Sequence, residues 1–393
     1  MNLPPPGEHA SLFRLEPSVI HLNHGSFGAC PIAVLDAQAR HRDRMEADGV
    51  RFFMDDAWGL LDVAREALAP VVGTAPANLV FVPNATTGIA TILHNIALRA
   101  GDEILASNLE YPACLVNCRA FAARAGARVV CAELPFPVAS EDAIADALLA
   151  RVTPRTRVAM FSLVTSSTAL RLPVERLIPV LRERGILVIL DAAHGPGCVP
   201  VKLDAWQPDY ATGNCHKWLC APKGAAFLHV RAGLQEGFRS LVLSSDAERL
   251  DEAAAATRRP PWHHEFDYTG TSDITPRLAI ADSIAFMEGL MPGGLRAVMD
   301  ANRALCLRGR DIVCARLGVA PPAPDAMLGP MAAIPLASAK AAAELKRALL
   351  ERHRIQIPFW DAAPGSARLR LSAQVYNSEA QYEALAEALA SEL

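Results

Sequence analysis

From Leu79 to Val230 short apolar runs alternate with amphipathic stretches, and this alternation restricts the chain to a mostly parallel sheet covered by helices on both faces. The runs are Leu79–Val82, Glu103–Ser107, Arg128–Glu133, Arg157–Val164, Ile186–Leu190, Tyr210–Thr212 and Ala225–Val230. Their cores are almost continuously hydrophobic, as strands buried on both faces must be. Between them Thr86–Ala100 and Pro173–Arg184 carry helical periodicity. Beyond about residue 230 the pattern changes to an Ala-rich charged stretch, a Pro260–Pro261 pair and an apolar helix around Pro276–Leu290. Strand-like Met331–Pro335, helix-like Ala337–Arg352, strand-like Ile355–Phe359 and Leu369–Ser372, and a final helix Ser378–Leu393 follow. The expectation is an α/β protein. Residues 16–260 form a large domain around a seven-stranded, mostly parallel sheet, and residues 1–15 with 261–393 form a smaller α+β domain.

A chain of 393 residues, 51% of them hydrophobic, has ample material for such a core. Its net charge of −4, with no clustered Lys/Arg run, leaves no basic surface for nucleic acid. The nine cysteines are scattered singly without paired metal spacing, so buried reduced thiols and no metal are expected. The start, MNLPPPGEHASLF, lacks the positive residues and apolar run of a secretion signal. No stretch reaches the ~20 apolar residues of a membrane span, and a cytoplasmic location is expected.

Three constellations carry chemistry. In PNATTGIATIL (Pro83–Leu93) a strand ends in a turn and a helix opens on small and hydroxyl residues; free N–H groups, the helix dipole and the hydroxyls of Thr86 and Thr87 favour a phosphate. A simple helix cap at Thr86 reads equally well from that segment alone. In ILVILDAAHGPG the uncharged run Ile186–Leu190 delivers Asp191 to its C-terminal end, where open α/β sheets bind ligands. A carboxylate there needs a cation: the protonated ring nitrogen of pyridoxal 5′-phosphate supplies one, and a metal or a turn cap are the alternatives. His194, three residues on, is placed to meet the ring hydroxyl or to serve as a structural turn histidine. In DYATGNCHKWLCAPKGAAFLHV, Lys217 lies between His216 and Trp218 among small apolar residues, which desolvate its amine and make it a nucleophile toward an aldehyde. Lys223, in a Pro-Lys-Gly turn, is its competitor. Together the three segments offer a phosphate seat, a carboxylate for the ring nitrogen and a lysine for a Schiff base.

Through HLNHGSFGACP (His21–Pro31), VPNATTG (Val82–Gly88), DAAHGPG (Asp191–Gly197), TGNCHKWLCAPKGAAFLHV (Thr212–Val230), FDYTGTSD (Phe266–Asp273) and LRLSAQVYNS (Leu369–Ser378), the sequence resembles the class V aminotransferase family of fold-type I pyridoxal phosphate enzymes, in particular its isopenicillin N epimerase-like branch. The resemblance implies that Ala85, Thr86, Asn214 and His216 surround the cofactor phosphate, that Asp191 meets the ring nitrogen, and that Lys217 is the Schiff-base residue. It implies a homodimer with shared active sites, in which Thr271 reaches the partner's phosphate. Tyr111, in LEYPAC, falls where the family stacks a ring on the cofactor, and its hydroxyl is a candidate acid; a core aromatic is the plainer alternative. Arg370 matches the arginine that clamps the substrate α-carboxylate, where a planar bidentate donor suits. Arg368, two residues away on the same strand face, is its alternate. Asn23, His24 and Ser26 are expected to line the substrate mouth.

Two departures from the family stand out. Cysteine desulfurases carry a reactive cysteine before the C-terminal strands, and Leu317–Met331 contains none. The family's asparagine near the cofactor hydroxyl is replaced within VTSSTALRLPV, where Ser166 and Thr168 occupy the region. The implied chemistry begins when the substrate amine displaces Lys217, which then removes the α-proton. Reprotonation on the opposite face gives epimerisation, loss of a β-substituent gives C–S lysis, and protonation at the cofactor carbon gives transamination. Epimerase or C–S lyase activity on an amino acid is favoured, with class V transamination as the alternative and a non-catalytic cofactor-binding protein as the rival of another kind.

Overall fold

A computed structural model describes residues 3–362 and 364–393. In chain order its strands are β1 (Ile20–His21), β2 (Leu79–Val82), β3 (Glu103–Ser107), β4 (Arg128–Ala132), β5 (Thr156–Ser162), β6 (Leu187–Asp191), β7 (Tyr210–Asn214), β8 (Ala226–Val230), β9 (Met331–Ala337), β10 (Ile355–Gln356), β11 (Phe359–Asp361) and β12 (Ser366–Ser372). β2 to β8 form one seven-stranded sheet in the order β2-β8-β7-β6-β5-β3-β4. β7, β6, β5, β3 and β4 pair in parallel; β8 runs antiparallel between β7 and β2. The expected mostly parallel sheet is present, each strand within two residues of its expected bounds.

Strand composition explains which faces are covered. β3, β7 and β8 are buried along their whole length, because helices such as Ala85–His94, Pro112–Arg124 and Val174–Glu183 pack over the sheet. A second sheet, β11-β12-β9, is antiparallel and packs against the long helix Gly294–Leu317. The final helix Glu379–Glu392 starts on a Ser378–Gln381 capping box.

Three expectations change. Ile355–Phe359 is not one strand: Pro358 has no N–H to donate, and the chain switches there from β10, which pairs with β1, to β11, which pairs with β12. The apolar helix around Pro276–Leu290 is two, Thr275–Leu278 and Ile280–Gly289, broken at Ala279. The Thr86–Ala100 helix stops at His94, because Asn95 turns the chain and its side-chain amide holds the Thr91 and Arg239 carbonyls. Among the described residues no single helix is long and apolar enough to cross a membrane.

A buried ion cluster fastens the helices to β2. Arg65, on helix Ala57–Val72, forks onto Asp267 at 2.6 and 2.8 Å and donates to the Leu79 carbonyl at 3.0 Å. Arg259 reaches the same carboxylate at 2.9 Å. The Asp267 side chain is wholly shielded from water, and its removal leaves Arg65 and Arg259 to share the half-exposed carboxylate of Asp62 alone. Asp267→Ala is expected to lower the unfolding free energy by about 3–5 kcal/mol. Asp300→Ala, which breaks an exposed pair with Arg296, should change it by less than ~0.5 kcal/mol. Urea midpoints of both variants measure the contrast.

Candidate active site

The parallel strands deliver their last residues to one edge of the sheet. Ser162 ends β5, Asp191 ends β6 and Asn214 ends β7, and all three line a cavity of about 300 Å³. This is the carboxyl edge, where open α/β sheets bind ligands.

Helix Ala85–His94 begins at the rim of this cavity. Asn84 caps it, accepting from the Thr87 N–H at 2.9 Å. The Ala85 N–H donates to Asn214 Oδ1 at 2.9 Å and is therefore already engaged. Asn214 thus organises the helix start, and the Thr86 amide is left without an acceptor among the described residues. Its hydroxyl also borders the cavity. His216 joins them: its Nδ1 lies 3.0 Å from the Ala225 carbonyl, which only accepts, so Nδ1 carries the proton and Nε2 is the atom left for a ligand. Burial holds that ring's pKa down at about 4.

Asp191 is 3% exposed. One oxygen accepts from the Ala193 N–H at 2.9 Å, the other only from the weakly donating Cys114 thiol at 3.3 Å. Burial raises its pKa, which marks a carboxylate short of a cation. Beside it Glu110 is buried and bridged by the hydroxyls of Ser107 and Ser162, both at 2.5 Å. Burial pushes Glu110 up to about 7, so it keeps its proton into the neutral range and adds little negative charge next to Asp191.

Lys217 projects from the loop after β7. Burial lowers its pKa to about 8; Asp191 opposes the shift and Arg370 reinforces it. Its Nζ lies 3.1 Å from His194 Nε2. The loop is gripped by two glycines in left-handed backbone conformations. Gly28 (φ +71) lies against the His216 and Lys217 carbonyls, and at Gly197 (φ +77) a Cβ would stand 2.6 Å from the Trp218 carbonyl carbon. The competitor Lys223 is exposed and lies outside the cavity.

Arg370 enters from β12 and is 1% exposed. Its Nη1 donates to the Ser166 carbonyl at 2.5 Å, and its Nη2 to Asn23 Oδ1 at 3.2 Å and Ser26 Oγ at 3.0 Å. The guanidinium sits 5.3 Å from the centre of the Trp360 ring. Its Nε has no partner and no carboxylate pairs with it among the described residues. Arg368 points instead at Phe136, 4.8 Å from the ring centre.

Of the residues singled out in the sequence, Ala85, Thr86, Tyr111, Ser166, Asp191, His194, Asn214, His216, Lys217, Ser26 and Arg370 meet around this one cavity. The others lie elsewhere. His24 does not line the mouth: it is buried behind the lysine loop, where Nε2–H supports the Lys217 carbonyl at 3.0 Å and Nδ1 accepts from Tyr376 at 3.0 Å. Asn23 stands behind Arg370. Thr168 is fully buried against Thr165 at 2.7 Å, because the chain turns back there through Ala169 at φ 59. Thr271 is exposed and outside the cavity. The sequence reading missed Cys114, Glu110 and the wall residue Phe27, whereas Trp360 lies in Phe359–Asp361, one of the segments expected to supply the substrate pocket. Only Cys114 left a trace, three residues after Tyr111 at a helix start.

The donor set fits pyridoxal phosphate. Asp191 is an under-partnered buried carboxylate that suits a protonated ring nitrogen, Lys217 is a low-pKa amine that suits an aldehyde, and the Thr86 amide at a helix start suits a phosphate. Comparison with known proteins agrees. The aminotransferase class-V family model matches residues 30–311. The chain is 34% identical to isopenicillin N epimerase of Streptomyces clavuligerus over 95% of both proteins. It is 29% identical to putative L-cysteine desulfhydrase 1 of Oryza sativa subsp. japonica over 95% of this chain and 83% of that protein. The apo cysteine desulfurase of Thermococcus onnurineus superposes with a TM-score of 0.80 at 19% identity, covering 100% of this chain and 98% of that one. A cystine C–S lyase in complex with its product cysteine persulfide gives a TM-score of 0.78 at 20% identity, covering 96% of this chain and 98% of that one. The chain belongs to the class V aminotransferase family and is a pyridoxal phosphate-dependent enzyme of fold type I.

Proposed function

We propose that this enzyme breaks a bond at the α-carbon of an amino acid held by Arg370, with epimerisation or C–S β-elimination as the outcome. The observation that carries the proposal is the buried Arg370 guanidinium, which among the described residues has no carboxylate of its own in the cavity that contains Lys217. An unpaired buried cation is costly, and a carboxylate ligand removes that cost. The relatives named above, an epimerase and a desulfhydrase, are consistent with both outcomes.

In this reading Lys217 holds the cofactor covalently, Asp191 the ring nitrogen and His194 the ring hydroxyl, with Ser166 close by. Thr86, Asn214, His216 and the Ala85 turn form the phosphate seat. Once bound, the cofactor supplies an electron-poor ring that draws electrons from a bond to the α-carbon. Arg370 orients the substrate by its α-carboxylate. The Lys217 amine, its proton affinity lowered by burial, accepts the α-proton. Tyr111, 45% exposed on the cavity wall, is the candidate acid that returns a proton to the other face. Thr271 is read as serving a second copy of the chain, which its exposed position outside this cavity supports.

Persulfide chemistry is disfavoured. Cys114 is the cysteine that lines the cavity among the described residues, and burial raises its thiol pKa, so little nucleophilic thiolate forms.

Borohydride should trap the cofactor on Lys217, and Lys217→Ala should lose both the adduct and the visible absorbance; an adduct mapped to another lysine overturns the assignment. With its pKa near 8 rather than 10.5, the apoenzyme's Lys217 is neutral ~300-fold more often at pH 7 than an ordinary lysine. Its reaction with an amine reagent should therefore rise through pH 8 and level off above it. Arg370→Lys should raise KM for α-amino acids by about 10–100-fold, since a point charge replaces a fork. A panel of L- and D-amino acids, followed for α-deuterium exchange, inversion, sulfide and keto-acid release, separates the outcomes. Keto-acid formation without sulfide or inversion would sink the proposal. Tyr111→Phe should abolish inversion and leave α-deuterium exchange in place.

A further inference from the structure

His194 is held at both ring nitrogens. The Trp218 indole Nε1 lies 3.2 Å from its Nδ1, and Lys217 Nζ lies 3.1 Å from its Nε2. Both rings are shut off from water, Trp218 at 0% and His194 at 2% exposure. An indole N–H only donates, so Nδ1 must present its lone pair. A neutral imidazole then carries its proton on Nε2, and Nε2–H has nothing to offer an ammonium group. It pairs only with a lysine that has given up its own proton.

We propose that Trp218 is a positioning residue that locks His194 as the Nε2–H tautomer, so that His194 faces the cavity as a donor and holds the free Lys217 amine neutral.

The charged and titratable neighbours divide between the two states of the amine. Around Lys217 stand Asp191 on β6, Arg370 on β12, Cys114 on helix Pro112–Arg124 and Cys198 after the glycine turn. Asp191 alone favours the ammonium as a full opposite charge, and it is engaged with Ala193 and Cys114. Around His194 stand Lys217, Arg370 and His24, none of which favours an imidazolium; burial above all holds its pKa far below the usual value, and a protonated Lys217 would only lower it further. Backbone packing fixes the geometry too, since Gly197 brings the histidine turn against the Trp218 carbonyl. With cofactor bound as proposed above, the same Nε2–H is the donor that meets the ring oxygen.

The Trp218 N–H is separable from the bulk of the ring. Trp218→Phe keeps an aromatic and frees Nδ1 to take the proton, which turns Nε2 into an acceptor and lets the lysine stay charged. In the holoenzyme, where the Lys217 nitrogen would be tied to the cofactor, the same change would take a donor away from the ring oxygen, and the pH midpoint of the visible absorbance should move by about one unit, a tenfold change in the protonation equilibrium. His194→Gln supplies a side-chain N–H that has no tautomers; in that background Trp218→Phe should produce no further shift. An equal shift in both backgrounds, or none in either with cofactor content unchanged, overturns the proposal.

Should Trp218→Phe fail to fold, ¹⁵N-histidine spectra of the wild-type holoenzyme decide. His194 with a proton on Nε2 and none on Nδ1 supports the lock; the Nδ1–H tautomer or an imidazolium overturns it. The proposal rests on Lys217 as the cofactor lysine only for the absorbance readout. A wild type that takes up no colour defeats that assignment, whereas a coloured wild type with the wrong tautomer defeats the lock alone.

Discussion

Weakening the hold of one buried amine on its proton is the constraint around which this site is built. Desolvation alone disfavours the ammonium form of Lys217, but Asp191 across the cavity pulls the other way. Arg370 adds like-charge repulsion. His194, fixed by the Trp218 indole, completes the arrangement with a donor where an ammonium would need an acceptor. The lysine loop cannot swing away from these partners, because Gly28 and Gly197 bring neighbouring backbone into direct contact with it and His24 holds the Lys217 carbonyl.

The sheet explains how such different groups converge. Parallel pairing of β5, β6 and β7 aligns their C-terminal ends, so Ser162, Asp191 and Asn214 arrive side by side without any long loop. Side-chain bonds then link those ends to their surroundings: Asn214 to the first amide of Ala85–His94, Ser162 to Glu110 in the bend before Pro112–Arg124, and Asp191 to Cys114 on that helix. The second sheet contributes from the opposite side, where β12 inserts Arg370 and β11 brings Trp360 beneath it. Closing the cavity with a second sheet places Lys217 and Arg370 on elements that are far apart in sequence.

The parallel sheet was legible because strands buried on both faces are written as continuous apolar runs, and the chemistry at its edge because Asp191, Lys217 and Thr86 sit at strand–turn or turn–helix junctions of distinctive composition. Partner choice among polar groups was not. Nothing in VILDAAHGPG says that His194 binds an indole 24 residues away, and nothing in the start of the chain says that His24 turns inward to Tyr376 while Ser26, two residues on, reaches Arg370. The Arg368/Arg370 pair shows the limit most directly: alternation puts both on one face of β12, and only the position of Phe136 and Trp360 beyond the strand separates a packed arginine from one facing the cavity. The break at Pro358 was within reach of residue-level reasoning, since a missing N–H ends pairing, but the apolar run around it dominated the pattern.

In the proposed reading, Arg370 and Lys217 also couple substrate binding to proton transfer. Two like charges in one cavity each weaken the other's protonated form, and Arg370 gives way less because a guanidinium, even lowered to about 10 by burial, stays charged at neutral pH. A carboxylate seated on Arg370 cancels most of its field at Lys217. The lysine is therefore the weaker base, and the readier nucleophile, before an anion arrives, and the stronger base afterwards. A reaction that asks the same amine first to attack a carbonyl and then to accept an α-proton gains from that order. The gain requires no movement of the backbone, only that the arginine lack a carboxylate of its own, which is how β12 presents it.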